Sequence, residues 1–448
     1  MPREDGAMNL VGVISSDETL NETIRAEIEN AFGDTFVLTF PKEGEILEFL
    51  NFDLPELVII NFSDAAIDVD GTIDKIRDDS WLHNFGIVGI FDPDQYREED
   101  LLENLKNVNI LALLNADRIR SHIARSIKTI ADNRQIIFQN ELSSRFFERA
   151  SGSFIIENDI LAASIYPGIA ATMLAQRGHI NPETKMHLQL SLSELLVNGI
   201  EHGNCGITYE EKSDFLAKGL SVVDLVAEKC KDPEIAAKRV RFEYDIQPHE
   251  TKFIIQDDGD GFDVKGLSEK LKVEGEMSLH GRGIKMAASL ARLLTYNRKG
   301  NVVTMIFPHD DQVSRETPVG FSDDEALIVQ KGAIVFREGE SSNFLYYISS
   351  GTFSVFSKSR HVAMLSPADI FMGEMSFLLN NRRSATVRAE NLGKLIKISR
   401  KSFVSVIKEF PHYGIFLSKL LARKLVRANV RNVLIQQRDR QSDRAAQT

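Results

Sequence analysis

Three polar, glycine-containing motifs follow one another in the middle of this 448-residue sequence, each beside an apolar run. The first is SLSELLVNGIEHGN, whose helical spacing places Glu194, Asn198 and Glu201 at i, i+4 and i+7, on one predicted face. The second is FIIQDDGDGFDV, a predicted strand that runs directly into an acidic, glycine-rich turn. The third is HGRGIKMAASLARLL, in which Gly281 and Gly283 open a predicted helix.

The side chains of these motifs are of the types that bind a nucleotide. Polar groups among apolar helix neighbours need partners, and a bound Mg²⁺-nucleotide would supply them. Asp257 can accept a hydrogen bond from an exocyclic amine, and Gly259 and Gly261 allow the backbone to approach a flat ring. Free N–H groups where the third motif opens a helix can meet phosphates. Taken singly, the motifs also fit an amphipathic helix, a calcium loop or an isolated turn, although DDGDG lacks the acidic twelfth position of a calcium loop.

Taken in this order and at these separations, the motifs resemble the Bergerat ATP-binding fold of histidine kinases, gyrases and anti-sigma-factor serine kinases. The compact lid between Phe262 and Gly281, the sequence IEHGN and the ending YNRKGNVVTMIF are most similar to those of the serine kinases. An inserted segment, 206–238, is longer than in compact members of that family. It predicts two helices that either shape a partner surface or only extend the fold.

The resemblance implies roles for individual residues. Glu194 would be the general base that acts on a protein hydroxyl, and Asn198 would hold Mg²⁺. Asp257 would form a hydrogen bond with the adenine. The glycines of the third motif, together with Arg282, would bind the phosphates. The implied ATP-binding residues are Asn198, Asp257, Gly259, Gly261, Gly281, Arg282 and Gly283.

A second ligand site is predicted from FREGESSNFLYYISSG and GEMSFLLNNRRSATVRA. Glu374 can accept a hydrogen bond from a ribose hydroxyl, and Arg383 carries the fork of donors that suits a cyclic phosphate. These stretches resemble the cyclic-nucleotide-binding domain of catabolite activators, cyclic-nucleotide-dependent kinases and gated channels. The resemblance implies binding through Gly373, Glu374, Arg383, Ser384 and Ala385, and the serine favours cAMP over cGMP. The alternative is a β-roll that has lost its ligand, and the presence of both Glu374 and Arg383 argues against it.

The N-terminal region alternates five apolar runs with amphipathic stretches, which predicts a doubly wound parallel sheet. It resembles a response-regulator receiver of the flavodoxin-like fold. Receivers carry a phosphoacceptor Asp after the third strand, where this sequence has Asn61. Because an amide cannot take up a phosphoryl group as a carboxylate does, we expect a pseudo-receiver that serves in docking or dimerisation.

The predicted fold class is multidomain α/β and β: a flavodoxin-like receiver, a Bergerat α/β sandwich and a cyclic-nucleotide-binding β-roll with C-terminal helices. The predicted segments are a pseudo-receiver (1–117), a connector helix (118–149), the ATP-binding domain (150–311), a linker (312–325), the cyclic-nucleotide-binding domain with its C-terminal helix (326–437) and a tail (438–448).

Composition and charge bear on the location of the protein and on the partners that it can bind. The apolar runs are shorter than the roughly 18 residues that span a bilayer, so no membrane segment is expected. Two cysteines make no disulfide framework, which favours the cytoplasm. A net charge of −12 argues against direct nucleic-acid binding, and the basic stretch 419–444 is interpreted as a solvated helix face. An apolar stripe in the C-terminal helix predicts a homodimer through Phe416, Leu417, Leu420, Leu421, Leu425 and Val426.

The sequence therefore predicts a bacterial ATP-dependent protein serine/threonine kinase of the anti-sigma-factor type, regulated by a cyclic nucleotide. Its partner would be a protein substrate, an antagonist or a sigma-type factor, and the signal is expected to pass through the linker 312–325. Two other functions stay open: a non-catalytic ATP- and cyclic-nucleotide-binding switch that sequesters a regulatory protein, and a scaffold in which neither ATP nor catalysis matters.

Overall fold

The computed structural model describes residues 10–32, 36–79, 82–83, 85–105, 108–133, 150–217, 221–262, 282–310 and 317–422. Within these ranges, none of the helices combines the length and the apolar character that a bilayer-spanning segment requires.

Five parallel strands form the first sheet, one at each predicted apolar run: β1 (Leu10–Ile14), β2 (Phe36–Phe40), β3 (Leu57–Asn61), β4 (Gly86–Phe91) and β5 (Ile110–Asn115). Their order, β2-β1-β3-β4-β5, is the order of flavodoxin-like sheets. Five helices accompany the strands: α1 (Glu18–Phe32), α2 (Glu43–Phe52), α3 (Val69–Asp78), α4 (Glu98–Asn104) and α5 (Ile119–Asp132). Every residue of β3 is buried, because a parallel sheet with helices on both faces leaves no strand face in water.

The helix α5 begins close to the start of the predicted connector 118–149 but belongs to the first domain. Its residues Ile119, Ile123, Ile127 and Ile130 recur at helical spacing and are all buried. They contribute to a core that also contains residues of α1 and the first sheet. The same core also contains residues of the following domain, including Ile165 and Leu188, so α5 packs against both. Residues 134–149 of the predicted connector lie outside the described ranges.

The second sheet is antiparallel, with the order β6-β7-β8-β10-β9: β6 (Ala150–Ile156), β7 (Val240–Ile246), β8 (Glu250–Asp257), β9 (Leu293–Tyr296) and β10 (Val302–Pro308). Thr251, Phe253 and Ile255 of β8 are buried and their neighbours are not, as expected when helices cover one face. The helices of this region are α6 (Ile160–Gln176), α7 (Pro182–Asn198), α8 (Tyr209–Ala217), α9 (Val222–Lys229), α10 (Pro233–Ala237) and α11 (Arg282–Leu290). The predicted insertion contains three helices, α8 to α10, where the sequence predicted two.

Two four-stranded antiparallel sheets form the third region, in agreement with the predicted β-roll. One has the order β11-β18-β13-β16 and the other β12-β17-β14-β15. The strands are β11 (Glu325–Val329), β12 (Ile334–Phe336), β13 (Phe344–Ser350), β14 (Phe353–Ser357), β15 (Arg360–Leu365), β16 (Phe371–Met372), β17 (Thr386–Ala389) and β18 (Gly393–Ser399). Apolar side chains from both sheets, including Phe336, Ile348, Phe353 and Leu395, fill the space between them.

Three helices pack on the outer side of the sheet that contains β13: α12 (Glu374–Leu379), α13 (Arg400–Glu409) and α14 (residues 411–422). The sequence predicted one helix from Ser402 to about Gln437. The structure instead interrupts it at Phe410, because the residue before a proline is disfavoured in the helical region and Pro411 follows. Residues 423–437 lie outside the described ranges.

The apolar stripe predicted for a homodimer is used within the chain. Leu417 and Leu420 of α14 are 4% and 5% exposed in the single chain, and Phe416 and Leu421 pack beside them. Leu425 and Val426 lie outside the described ranges. The homodimer therefore stays a prediction, and its described apolar residues already have neighbours.

Candidate functional site

The helix α7 carries the first two predicted ATP-site residues at its C-terminal end. Asn181 caps the start of the helix by accepting a hydrogen bond from the Thr184 N–H, and Pro182 occupies the first turn. The side chain of Glu194 is exposed, and Asn198, one turn later, is half-buried. The structure thus presents a carboxylate and an amide on successive turns of one helix.

A π-helical turn, Gly199–Asn204, continues α7 and changes its pitch. The sequence placed Glu201 on the same face as Glu194 and Asn198, and this expectation is wrong. Glu201 is only 2% exposed, and its carboxylate lies 2.6 Å from Lys212 Nζ of the insertion. Its charge is thus balanced within the protein.

Buried amide side chains join the π turn to the acidic, glycine-rich turn after β8. Asn204 is 1% exposed, and its Oδ1 accepts a hydrogen bond from the Asp258 N–H at 2.8 Å. Its Nδ2 donates to Asn158 Oδ1 at 2.8 Å. From the opposite side, Asn301 Nδ2 donates to the Asp257 carbonyl at 2.9 Å. The first two motifs therefore form one hydrogen-bonded unit, which sequence reasoning missed.

Glycine is required in this turn because backbones pass very close to one another. A Cβ on Gly259 would lie 2.2 Å from the Gly203 carbonyl oxygen, and one on Gly261 would lie 2.0 Å from that of Lys299. Gly261 also has a φ of +80°, which favours glycine. Asp257 Oδ1 accepts the Gly259 N–H at 2.9 Å. Burial raises the pKa of the Asp257 carboxyl, and this hydrogen bond opposes the rise.

The third motif is described in part. The helix α11 begins at Arg282 and includes Gly283, as the sequence predicted, and it packs against α7. Gly281 lies outside the described residues. The predicted phosphate contacts of these three residues stay predictions.

The insertion is anchored to the π turn at both of its ends. Near its start, Lys212 of α8 forms the buried ion pair with Glu201. At its end, Lys238 Nζ donates to the Asn204 carbonyl at 3.2 Å. Because both contacts end on the turn that follows Asn198, the insertion supports the site and is more than an extension of the fold.

In the third region, Arg383 is 2% exposed, and both of its terminal nitrogens donate to the protein, whereas its buried Nε has no hydrogen-bond partner among the described residues. Nη1 donates to the Gly373 carbonyl at 3.0 Å and to Ser376 Oγ at 2.8 Å. Nη2 donates to Ser342 Oγ at 2.6 Å and to the Phe344 carbonyl at 2.7 Å. A phosphate can be held by these nitrogens only in exchange for some of these bonds.

The other predicted cyclic-nucleotide residues surround this guanidinium. Gly373 has a φ of +78°, and a Cβ there would lie 2.1 Å from Arg383 Nη1, so only glycine lets the backbone pass. Glu374 and Ala385 are half-buried and Ser384 is exposed. The structure therefore brings the predicted residues together around Arg383.

Two segments of the chain match known protein families. Residues 168–307 match the family model of the histidine kinase-like ATPase domain, and residues 327–410 match that of the cyclic nucleotide-binding domain. The two matches cover the segments that hold the two candidate sites. The combination indicates a regulated, ATP-binding signalling protein.

Similar proteins share the cyclic-nucleotide-binding segment. Human potassium/sodium hyperpolarization-activated cyclic nucleotide-gated channel 3 is 30% identical over 111 residues, which are 25% of this chain and 14% of the channel. The cyclic AMP receptor protein of Thermus thermophilus is 29% identical over 120 residues, 26% of this chain and 55% of that protein. The crystal structure of the Thermus thermophilus catabolite activator protein is 28% identical, with a TM-score of 0.25, and covers 26% of this chain and 57% of that one. The chain thus spans between 14% and 55% of the length of these two relatives.

We expect Lys212→Met to destabilise the ATPase domain by about 2 kcal/mol or more, because it leaves the Glu201 carboxylate buried without its partner. The second change Glu201→Gln should restore most of that loss by removing the charge. The control is Lys231→Met, which breaks an exposed ion pair with Glu228 and should cost about 0.5 kcal/mol or less. Urea denaturation followed by circular dichroism measures all three. Equal effects of Lys212→Met and Lys231→Met would contradict the anchoring role.

Proposed function

We propose that this chain is an ATP-dependent protein serine/threonine kinase of the anti-sigma-factor type, acting in bacterial signal transduction under the control of a cyclic nucleotide. The observation that carries the proposal is the hydrogen-bonded unit of α7, the π turn and the Asp257–Gly261 turn. It lies inside the segment that matches a histidine kinase-like ATPase domain. Glu194 and Asn198 lie on the helix that leads into this unit.

The residues present fit Mg²⁺-ATP. Asn198 offers an amide oxygen of the kind that Mg²⁺ accepts, and Asp257 offers a carboxylate to the adenine amine. The crowded glycines let the Gly259–Gly261 backbone approach a flat base. When bound, Mg²⁺-ATP supplies the phosphoryl group. The helix start at Arg282 and Gly283 is proposed to hold the phosphates.

Glu194 is the proposed general base. Its side chain is exposed at the C-terminal end of α7, where the hydroxyl of a partner protein can reach it. Its carboxylate would accept the proton of that serine or threonine hydroxyl as the oxygen attacks. Glu201 is excluded from this role, because Lys212 pairs with its buried carboxylate.

The proposed regulatory ligand is a cyclic nucleotide, cAMP in preference to cGMP. Glu374 would bind the ribose hydroxyl, and Arg383 with Ser384 and Ala385 would bind the cyclic phosphate. A protein named as a cyclic AMP receptor is 29% identical to this segment, which supports the choice of cAMP.

The first domain is proposed to be a pseudo-receiver. Its strand order is that of flavodoxin-like folds, and Asn61 ends β3 with its side chain 8% exposed. The Asn61 Nδ2 donates to Ser15 Oγ at 3.4 Å, so an amide occupies the position that the receiver resemblance gives to a phosphoacceptor. We propose that this domain acts by docking.

The proposed setting is a bacterial cytoplasm, in agreement with two cysteines that are both free thiols. The proposed partner is a protein substrate, an antagonist or a sigma-type factor, and the proposed assembly is a homodimer. Direct nucleic-acid binding is not proposed for a chain with a net charge of −12.

We expect Glu194→Gln to reduce phosphoryl transfer by about 10²-fold or more while ATP affinity stays near that of the wild type, because the change removes a proton acceptor only. Asn198→Ala should weaken Mg²⁺-ATP binding instead. The control is Glu183→Gln, the same change at the exposed start of α7, and it should transfer as the wild type does. Labelled ATP with candidate partner proteins measures transfer, and calorimetry measures binding.

Wild-type transfer rates in Glu194→Gln would contradict the proposed mechanism. ATP binding without transfer to any partner would favour the non-catalytic switch. Absence of ATP binding would contradict both functions.

We expect the chain to bind cAMP more tightly than cGMP in calorimetry. Glu374→Gln should weaken cAMP binding by about tenfold or more, the effect of losing one charged hydrogen bond. The control is Glu409→Gln, on the exposed side of α13. Equal affinities of the two variants would contradict the assignment of Glu374.

A further inference from the structure

Two polar contacts join the first domain to the cyclic-nucleotide-binding region. The Tyr413 hydroxyl of α14 donates to Asp79 Oδ1, directly after α3, at 2.5 Å. Lys419 Nζ, further along α14, donates to the Asp53 carbonyl after α2 at 2.7 Å. Tyr413 is only 2% exposed, so the first of these contacts is a packed joint.

The same joint has an apolar core. Leu82, from the first domain, is 4% exposed and belongs to one cluster with Leu417 and Leu420 of α14. Leu54, from the end of the α2 segment, packs against this cluster. Burial of apolar side chains from both regions in one core stabilises them as a unit.

The first domain also contacts the ATPase helices. Asn109, before β5, accepts hydrogen bonds through Oδ1 from Thr172 Oγ1 of α6 at 3.0 Å and from Lys185 Nζ of α7 at 2.6 Å. All three side chains are less than 9% exposed. Burial lowers the pKa of Lys185 to about 7, as expected for an amine held in an apolar joint by a neutral amide.

The helix α7 links this joint to the proposed catalytic residues. Lys185 lies in the first turn, and Glu194 and Asn198 lie in the last turns, about 14 Å and about 20 Å further along at 1.5 Å per residue. A helix transmits displacement of one end to the other because its hydrogen bonds hold it rigid. A shift of the first domain at Asn109 therefore reaches Glu194 and Asn198.

A contact path also joins the cyclic-nucleotide site to Tyr413. Arg383 binds Ser376 of α12, and the next residue, Phe377, contacts Phe403 with ring centroids 5.3 Å apart. Phe403 stacks with Phe321 at 6.4 Å, and Phe321 contacts Tyr413 at 5.8 Å. Because a bidentate phosphate contact needs at least one terminal nitrogen of Arg383 to exchange a present hydrogen bond, a ligand distinguishes two arrangements of α12 and of the rings beside it.

We propose that the first domain is the coupling module between the two nucleotide sites: it receives the state of the cyclic-nucleotide site through Asp79 and Asp53 and passes it to α7 through Asn109. This inference rests on the proposed function, since it needs both ligands to bind. Coupling the two nucleotide sites is a role that the pseudo-receiver can perform without being phosphorylated. The route differs from the linker 312–325, which the sequence suggested as the connection.

The test measures the affinity of the full chain for a non-hydrolysable ATP analogue with Mg²⁺, with and without saturating cAMP, by calorimetry. We expect cAMP to change this affinity at least about fivefold in the wild type. Tyr413→Phe removes one hydroxyl, Asn109→Ala removes the acceptor for Lys185, and each should reduce the change to less than about twofold. Each ligand alone should bind both variants as it binds the wild type.

Matched controls separate coupling from general damage. Tyr96→Phe makes the same chemical change at an exposed position of the first domain and should keep the full coupling. If Tyr413→Phe folds poorly, Asp79→Ala removes the acceptor of the same bond and should reduce the coupling. Its control, Asp78→Ala at the exposed neighbouring position, should keep the full coupling. Thermal melts by circular dichroism verify folding.

Three results would count against these ideas. Failure of either ligand to bind the wild type would overturn the proposed function itself. Binding of both ligands without any effect of cAMP would overturn the coupling role and leave ATP and cAMP binding standing. Full coupling in folded Tyr413→Phe and Asn109→Ala would overturn the route through the first domain and favour the linker.

Discussion

The helix α7 is held at both of its ends, by the first domain at its start and by the acidic loop after β8 at its end. The arrangement of the domains depends on these two attachments. The first turn of α7 is held against the first domain by the hydrogen bond between Lys185 Nζ and Asn109 Oδ1. Its last turn passes into the π turn, which Asn204 fixes to the acidic loop after β8. A buried amine and a buried amide both demand partners, so neither end can move alone without leaving a polar group unsatisfied. The proposed catalytic residues lie between these two fixed points.

Much of the fold follows from the sequence because its periodicities are strong. The apolar runs that become β1 to β5 are continuous, as expected for strands covered on both faces, and alternation in β8 marks a half-covered sheet. The crowded glycines at Gly259 and Gly261 stand where the motifs placed them. Local spacing was sufficient for these elements because neighbours in sequence determine them.

Other features depend on contacts between residues far apart in sequence, which local patterns do not encode. The π turn shifts Glu201 away from the face of Glu194, and its partner Lys212 comes from the insertion. The joint between Asp79 and Tyr413 connects residues separated by 334 positions. Arg383 was predicted as a phosphate ligand, yet its four bonds to protein acceptors became visible only in three dimensions.

We propose that the cyclic-nucleotide site communicates with the ATP site through the first domain and α7. Hydrogen–deuterium exchange of the full chain, with and without cAMP, tests it most directly, because amide exchange reports local opening segment by segment. We expect cAMP to change exchange in α14, in the segment around Asp79, and in Pro182–Asn198 of α7. Changes confined to residues 317–422, with the first domain and α7 unaffected, would contradict it.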